Sequence, residues 1–258
     1  MDLQINNQFF IVGGATSGFG HAIATALLAE GAHVLAIARD EEKLKALQSA
    51  YPGRVEIFSS DITGPGQVTL LEERMAGRAL HGLLINAGGP PAKTVAETTL
   101  DDWDAAYRTL LRWKVDIAKT FAPRMAAAGY GRILFIESSS VKQPLENLVL
   151  SNSLRLASVG FAKTYALEIA AQGVTINIMG PGSHNTPAIE RLYKKKQEQT
   201  GQSIEAIRQA AAQQIPVGAL GDAADFASLA VWLLSPHSKY ITGQTISVDG
   251  GMVKSIFG

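Results

Sequence analysis

Short apolar runs alternate along this chain with longer stretches whose apolar residues recur at helical spacing. The runs at 9–13, 33–38, 55–59, 82–86, 132–136, 174–179 and 245–248 are rich in Val, Ile, Leu and Phe and predict strands. They do not alternate cleanly between apolar and polar positions, as strands covered on both faces need not. Between them lie amphipathic stretches such as 21–30 and 155–171, which predict helices. Repeated strand–helix units imply a parallel sheet joined by right-handed crossovers. Thr99, followed by Asp102 and Trp103, marks a helix start: a hydroxyl cap, then acid at the positive end of the dipole.

The pattern shows no solenoid repeat and no internal boundary, so residues 1–258 are read as one domain. A polar, helical stretch at 187–216 interrupts it before the last strand. In open α/β sheets ligands bind beyond the carboxyl ends of the strands, so this insertion is placed to cover a substrate.

Composition adds exclusions. The chain is 47% hydrophobic and 18% charged, which fits a compact protein and not a disordered one. A formal net charge of zero gives no electrostatic reason to expect nucleic acid or a membrane surface as partner. Without cysteine there is no disulfide or thiolate chemistry, and no cluster of metal ligands stands out. Residues 1–8 are polar, and no apolar run reaches the ~18 residues of a membrane span. A cytoplasmic location is the expectation.

Candidate chemistry begins after the first strand. Gly13-Gly14-Ala15-Thr16-Ser17-Gly18-Phe19-Gly20 runs into a helix. Glycines there allow a tight turn and bring backbone N–H groups close to a diphosphate at the helix N-terminus. Ala38-Arg39-Asp40 ends the second strand, where an acid would suit the ribose hydroxyls of NAD and an arginine the 2′-phosphate of NADP. Arg39 favours NADP(H) over NAD(H), since a guanidinium matches phosphate bidentately. Asp40 is the alternative, serving NAD.

The spacing of Gly14, Gly18 and Gly20 resembles that of the short-chain dehydrogenase/reductase family, and further motifs follow in the family's order. Asp61, with Ile62 beside it, resembles the adenine contact. Asn86-Ala87-Gly88 matches the signature after the fourth strand. Pro181-Gly182, with Thr186, resembles the turn that holds the nicotinamide carboxamide. The stretch from Ile241 to Gly251 resembles the closing strand. The resemblance implies a Rossmann-type, doubly wound sheet of seven mostly parallel strands with helices on both faces. It also implies a nicotinamide cofactor and a homo-oligomer, tetramer or dimer.

The catalytic positions depart from the family. Ser138 matches the serine that orients the substrate oxygen. Thirteen residues on, Ser151 stands at the tyrosine position, and four further Arg155 at the lysine position. Leu110 stands at the asparagine position. An aliphatic hydroxyl is a poor acid or base near neutral pH, and arginine does not give up its proton. Arg155 retains the ability to bind ribose. His184, two residues after Gly182, or a water held by Ser151 are the candidate proton carriers. Glu137, just before Ser138, is either a buried acid or a partner of Arg155. Lys194-Lys195-Lys196, in the insertion, suits an anionic substrate such as an acyl carrier thioester, or is a solvated face.

The leading expectation is an NADP(H)-dependent oxidoreductase acting on a carbonyl/alcohol pair, with 3-oxoacyl thioesters as the first substrate class. Two others stand beside it: a nucleotide-binding sensor or scaffold without turnover, and a lyase or isomerase reusing the pocket.

Overall fold

The computed structural model describes residues 1–256. Among the described residues nine strands occur in chain order: β1 (Phe9–Gly13), β2 (His33–Ala38), β3 (Val55–Ser59), β4 (Gly82–Ile85), β5 (Gly131–Ile136), β6 (Val174–Pro181), β7 (His184–Asn185), β8 (Gly221–Asp222) and β9 (Thr245–Val248). The α-helices among the described residues are α1 (Gly18–Ala29), α2 (Glu41–Ala50), α3 (Gln67–Met75), α4 (Leu100–Tyr107), α5 (Trp113–Ala127), α6 (Val149–Ile169), α7 (Pro187–Thr200), α8 (Ile204–Gln213) and α9 (Ala223–Leu233). Seven strands form one sheet in the order β3-β2-β1-β4-β5-β6-β9, and every pairing in it is parallel. The order reverses direction between β1 and β4, the place where open α/β sheets open a crevice.

Strand residues feed two cores in turn. In β1, Phe9 and Ile11 join one cluster and Phe10 and Val12 the other. The first cluster is closed by Leu71 of α3, Phe121 of α5 and Ala162 of α6. The second is closed by Leu27 of α1, Leu44 of α2 and Phe226 of α9. Both sheet faces are thus dry, which accounts for the near-continuous apolar runs.

The β4–α4 loop is tied down before α4 begins. Thr99 Oγ1 accepts the Asp102 N–H at 3.3 Å, and the Asp102 carboxylate accepts the Thr99 N–H at 2.9 Å, a reciprocal cap. Lys93 Nζ reaches the same carboxylate at 2.7 Å. That ammonium first, and then the Thr99 N–H, hold the Asp102 pKa down at about 2. Lys93 also bridges to Leu148, just before α6, so the two loops that rim the cleft are joined.

Five elements differ from the sequence expectation at their ends: α1 spans Gly18–Ala29, β5 starts at Gly131, β6 runs on to Pro181, and α6 and β4 shift at the site. Helix α6 begins at Val149, not at 155, which puts Ser151 in its first turn. Strand β4 stops at Ile85, because Asn86 turns its side chain to the neighbouring strand. The insertion folds as α7 and α8, and its two ends pair with each other through β7 and β8. Among the described residues no helix is long and apolar enough to cross a membrane.

Candidate active site

The glycine turn is fixed by backbone crowding. A Cβ on Gly20 would lie 2.3 Å from the Gly14 carbonyl oxygen and 2.6 Å from that of Gly13. Gly14 and Gly18 have φ of 67° and 53°, left-handed values that glycine adopts freely. Asn86 Nδ2 donates to the Gly13 carbonyl at 3.1 Å and ties the end of β4 to the turn. Ser17 occupies the cap position of α1 without a side-chain bond to the helix, and Thr186 does the same at α7. The two helix starts meet: a Cβ on Gly18 would lie 3.7 Å from the Thr186 methyl. Two helix N-termini whose leading N–H groups have no side-chain cap fit a diphosphate. Gly182 is pressed against Asp249, 2.6 Å from where a Cβ would stand, and its N–H donates to the Val248 carbonyl at 2.9 Å. That locks the Pro181–Gly182 turn to the end of β9.

Just past the carboxyl end of β2, Arg39 is exposed, with its guanidinium 4.0 Å from the Asp61 carboxylate. Asp61 also accepts from the N–H and hydroxyl of Thr63, at 3.1 and 2.8 Å. Asp40 is engaged elsewhere. Its carboxylate caps α2 by accepting the Lys43 N–H at 3.1 Å, and that bond is the first cause of its lowered pKa. A ribose contact from Asp40 would forfeit this cap. Ile62 is buried in the first core cluster beside these residues, and Phe19 packs over the second.

Two of the positions matched to the family's catalytic residues, Ser151 and Arg155, adjoin or belong to a buried ion cluster. Arg155 Nε donates to Ser151 Oγ at 3.1 Å, one helical turn away. Its NH1 donates to the Glu137 carbonyl and to the Glu137 carboxylate, each at 3.0 Å. Its NH2 is turned toward Gly89, lying 3.3 Å from where a Cβ on that residue would stand. The other Glu137 oxygen accepts from Lys114 Nζ at 2.5 Å. All three charged side chains are buried, Glu137 completely. Burial draws the Lys114 pKa down to about 8, against the opposing pull of Glu137. Glu137 is therefore the partner of Arg155, and Lys114 is a third member absent from the sequence reading.

Ser138 Oγ accepts the Ser140 N–H at 3.1 Å at the carboxyl end of β5. Leu110 is buried against Ala106 and Leu150. It lies in a π-helical segment, Arg108–Arg112, that joins α4 to α5, and its carbonyl accepts from Ser158 Oγ at 3.1 Å. Single π turns recur at functional sites. His184 is buried with its ring edge-on to Phe19 and Phe226, at centroid distances of 5.0 and 5.7 Å. Its Nδ1 lies 3.1 Å from the Gly182 carbonyl, and a Cβ on Gly221 would stand 2.8 Å from its Nε2. The structure thus groups Ser151, Arg155 and Glu137, and places His184 among aromatic rings under the Pro181–Thr186 turn.

Two clefts open nearby. One, of about 350 Å³, is lined by Lys93, Thr94, Leu145, Val149 and Asn152, around the first turn of α6. The other, of about 570 Å³, lies between α7 and α8 and is lined by Thr186, Glu190, Arg191, Lys194 and Arg208.

A parallel, doubly wound sheet with a glycine turn, a diphosphate cradle and a polar pocket at its carboxyl edge defines a dinucleotide-binding α/β protein. Residues 14–253 match a family described as enoyl-(acyl carrier protein) reductase. The chain is 28% identical to a 3-oxoacyl-(acyl-carrier-protein) reductase of Thermotoga maritima, over 97% of this chain and all of that one. It is 31% identical to dehydrogenase/reductase SDR family member 6 of Xenopus laevis, over 96% of this chain and 98% of the relative. Its structure is similar to L-sorbose reductase from Gluconobacter frateurii complexed with NADPH and L-sorbose, with a TM-score of 0.93 and 28% identity over 99% and 100% of the two chains. The protein belongs to the short-chain dehydrogenase/reductase family, whose members are NAD(P)-dependent oxidoreductases.

Proposed function

We propose that this protein is an NADP(H)-dependent oxidoreductase for a carbonyl/alcohol pair, with 3-oxoacyl-type compounds as the first class to test. The observation that carries this is the posture of Arg155. It is anchored by Glu137 and Ser151, and its remaining nitrogen is aimed at Gly89, beyond the Asn86-Ala87-Gly88 signature. When bound, the nicotinamide supplies or accepts the hydride. Gly14, Ser17, Gly18, Phe19 and Gly20 hold the diphosphate, with Thr186 and the turn at Pro181 and Gly182 on the opposite side. Asn86, Ala87, Gly88 and Arg155 hold the nicotinamide ribose, and Asp61 and Ile62 meet the adenine.

The chain's own residues then deal with the substrate oxygen. Ser151 Oγ accepts its bond from Arg155, so its hydrogen is left to donate. Ser138 Oγ likewise accepts from Ser140 and keeps its hydrogen. Two hydroxyl donors can hold a carbonyl oxygen and stabilise the charge it gains. A water on Ser151 brings the proton, because serine itself is too weak an acid. The aromatic setting of His184 supports a packing role for it, beneath the turn. The basic lining of the cleft between α7 and α8, with Arg191 and Lys194 exposed, supports a substrate that carries an anionic group. Apolar Leu156 and Leu167, exposed on α6, support a homo-oligomer.

NADPH oxidation against a panel of 3-oxoacyl thioesters, ketoses and oxo acids tests the reading. Turnover is expected, and Ser151→Ala is expected to lower kcat about a hundredfold, as loss of one donor to a developing oxyanion does. Tight NADPH binding without turnover on any carbonyl would overturn it in favour of a nucleotide sensor. Arg39→Ala is expected to weaken NADPH about tenfold and leave NADH unchanged, since only the 2′-phosphate loses a partner. Equal loss for both nucleotides would take Arg39 out of cofactor selection.

A further inference from the structure

Glu137, Lys114 and Arg155 form a cluster of two cations and one anion. One cation is enough to neutralise a buried carboxylate, and each further buried charge costs several kcal/mol of desolvation. Arg155 has a clear use for Glu137. The carboxylate, the Glu137 carbonyl and Ser151 together fix the guanidinium plane and leave one nitrogen toward Gly89. Lys114 makes no bond to Arg155; it donates to the other oxygen of Glu137. The surplus cation thus adds charge to the site without itself bonding to Arg155.

We propose that this cluster is a charge-setting device for the nicotinamide site, in which Glu137 positions Arg155 and Lys114 supplies a removable positive charge behind it. This rests on the proposed function, in which Arg155 meets the nicotinamide ribose. With Lys114 protonated the cluster carries a net charge of plus one; with Lys114 neutral it carries none. The charged groups acting on Lys114 are Glu137, at the end of β5, and Arg155, on α6. Helix α3, also packed on α5, offers Glu72, which is paired with Arg124 near the other end of α5. Burial places the loss of the Lys114 proton near pH 8, within the range of ordinary experiments.

The consequence is redox-specific. The oxidised nicotinamide ring is a cation and the reduced ring is neutral. A positive site therefore disfavours the oxidised form and leaves the reduced form nearly unaffected. The same charge stabilises an alkoxide forming from a carbonyl, so both effects favour reduction at neutral pH.

The test compares dissociation constants for NADP+ and NADPH by calorimetry at pH 7 and pH 9.5, and no turnover is needed. In the wild-type protein the ratio of the two constants is expected to fall about three- to tenfold on going to pH 9.5, the size of one unit charge acting over several ångströms of partly wet protein. In Lys114→Met the ratio is expected to hold at the wild-type alkaline value at both pH values. A wild-type ratio that does not change with pH overturns the inference, even if the variant does not fold. So does a change of equal size in Lys114→Met. Failure of the wild-type protein to bind either nucleotide would instead overturn the proposed function.

Discussion

Glu137→Gln is expected to destabilise the protein by about 3–5 kcal/mol at pH 7, the usual cost of removing one partner from a buried ion pair. The amide keeps the size of the side chain and a hydrogen-bonding oxygen. What it lacks is the charge, and Lys114 and Arg155 would then lie near each other with no anion between them. The pH dependence has a definite sign. Arg155 cannot shed its proton, but Lys114 can, and its pKa is already drawn down to about 8 with the carboxylate present. Without the carboxylate it falls further. The folded variant then holds fewer protons than the unfolded chain, whose lysine titrates near ~10.4, so its stability rises as pH increases. Urea unfolding at pH 7 and pH 9 should therefore show a deficit that shrinks on the alkaline side. Lys114→Met leaves Glu137 and Arg155 as a neutral pair and is expected to change stability by less than about 1.5 kcal/mol, or to raise it. A Glu137→Gln deficit below about 1 kcal/mol, or one that grows with pH, would show that the cluster is not charged in this way.

The second large effect is expected from Gly20→Ala, which should weaken NADPH by at least about a hundredfold, or ~2.7 kcal/mol. The added methyl meets the carbonyl oxygens of Gly13 and Gly14, and both are backbone atoms between β1 and α1. They cannot swing aside as a side chain would. Helix α1 must back away from the end of β1, yet Ile23, Ala24 and Leu27 are buried in the second core and resist that movement. The turn opens instead, and the N–H groups at the start of α1 lose their convergence on the diphosphate. Gly160→Ala supplies the control. It lies on the exposed side of α6 with nothing within 4 Å of the added methyl. It should leave NADPH binding unchanged. Calorimetry with NADPH and a thermal melt distinguish the two variants, and an unimpaired Gly20→Ala would remove the glycine turn from the cofactor site.

Much of this was legible in the sequence, because the signals were local. The runs at 9–13, 33–38, 55–59 and 245–248 are strands with those bounds. The Thr99 cap follows from two residues three apart. The start of α6 was less visible, because 149–154 reads as much like a loop as like a first helical turn. Lys114 was missed for a different reason. A lysine on a surface helix ordinarily faces water, and its partner lies just past the end of β5, 23 residues away. One signal was available: Leu110, Lys114, Ile117, Ala118 and Phe121 all fall on the buried stripe, so the lysine stands where only a paired charge is tolerated. Glu137 was suspect from sequence, but the choice between a lone acid and an ion pair needed the fold to bring α5 and α6 to the end of β5. His184 shows the converse. Its place in the chain suggested chemistry, whereas the fold surrounds it with Phe19 and Phe226.

The pairing of His184 with Gly221 and of Asn185 with Asp222 has a consequence for how such a protein diversifies. The chain leaves this two-stranded pairing and returns to it at adjacent points, so everything between them is a cassette with fixed terminals. Lengthening such an excursion is thermodynamically mild, since each doubling of a flexible loop costs only about 0.6 kcal/mol in closure entropy. The helices between can be exchanged, extended or recharged while Ser138, Ser151 and Arg155 stay anchored to β5 and α6. On the proposed function, the parts that select the substrate and the parts that react with it can then change independently.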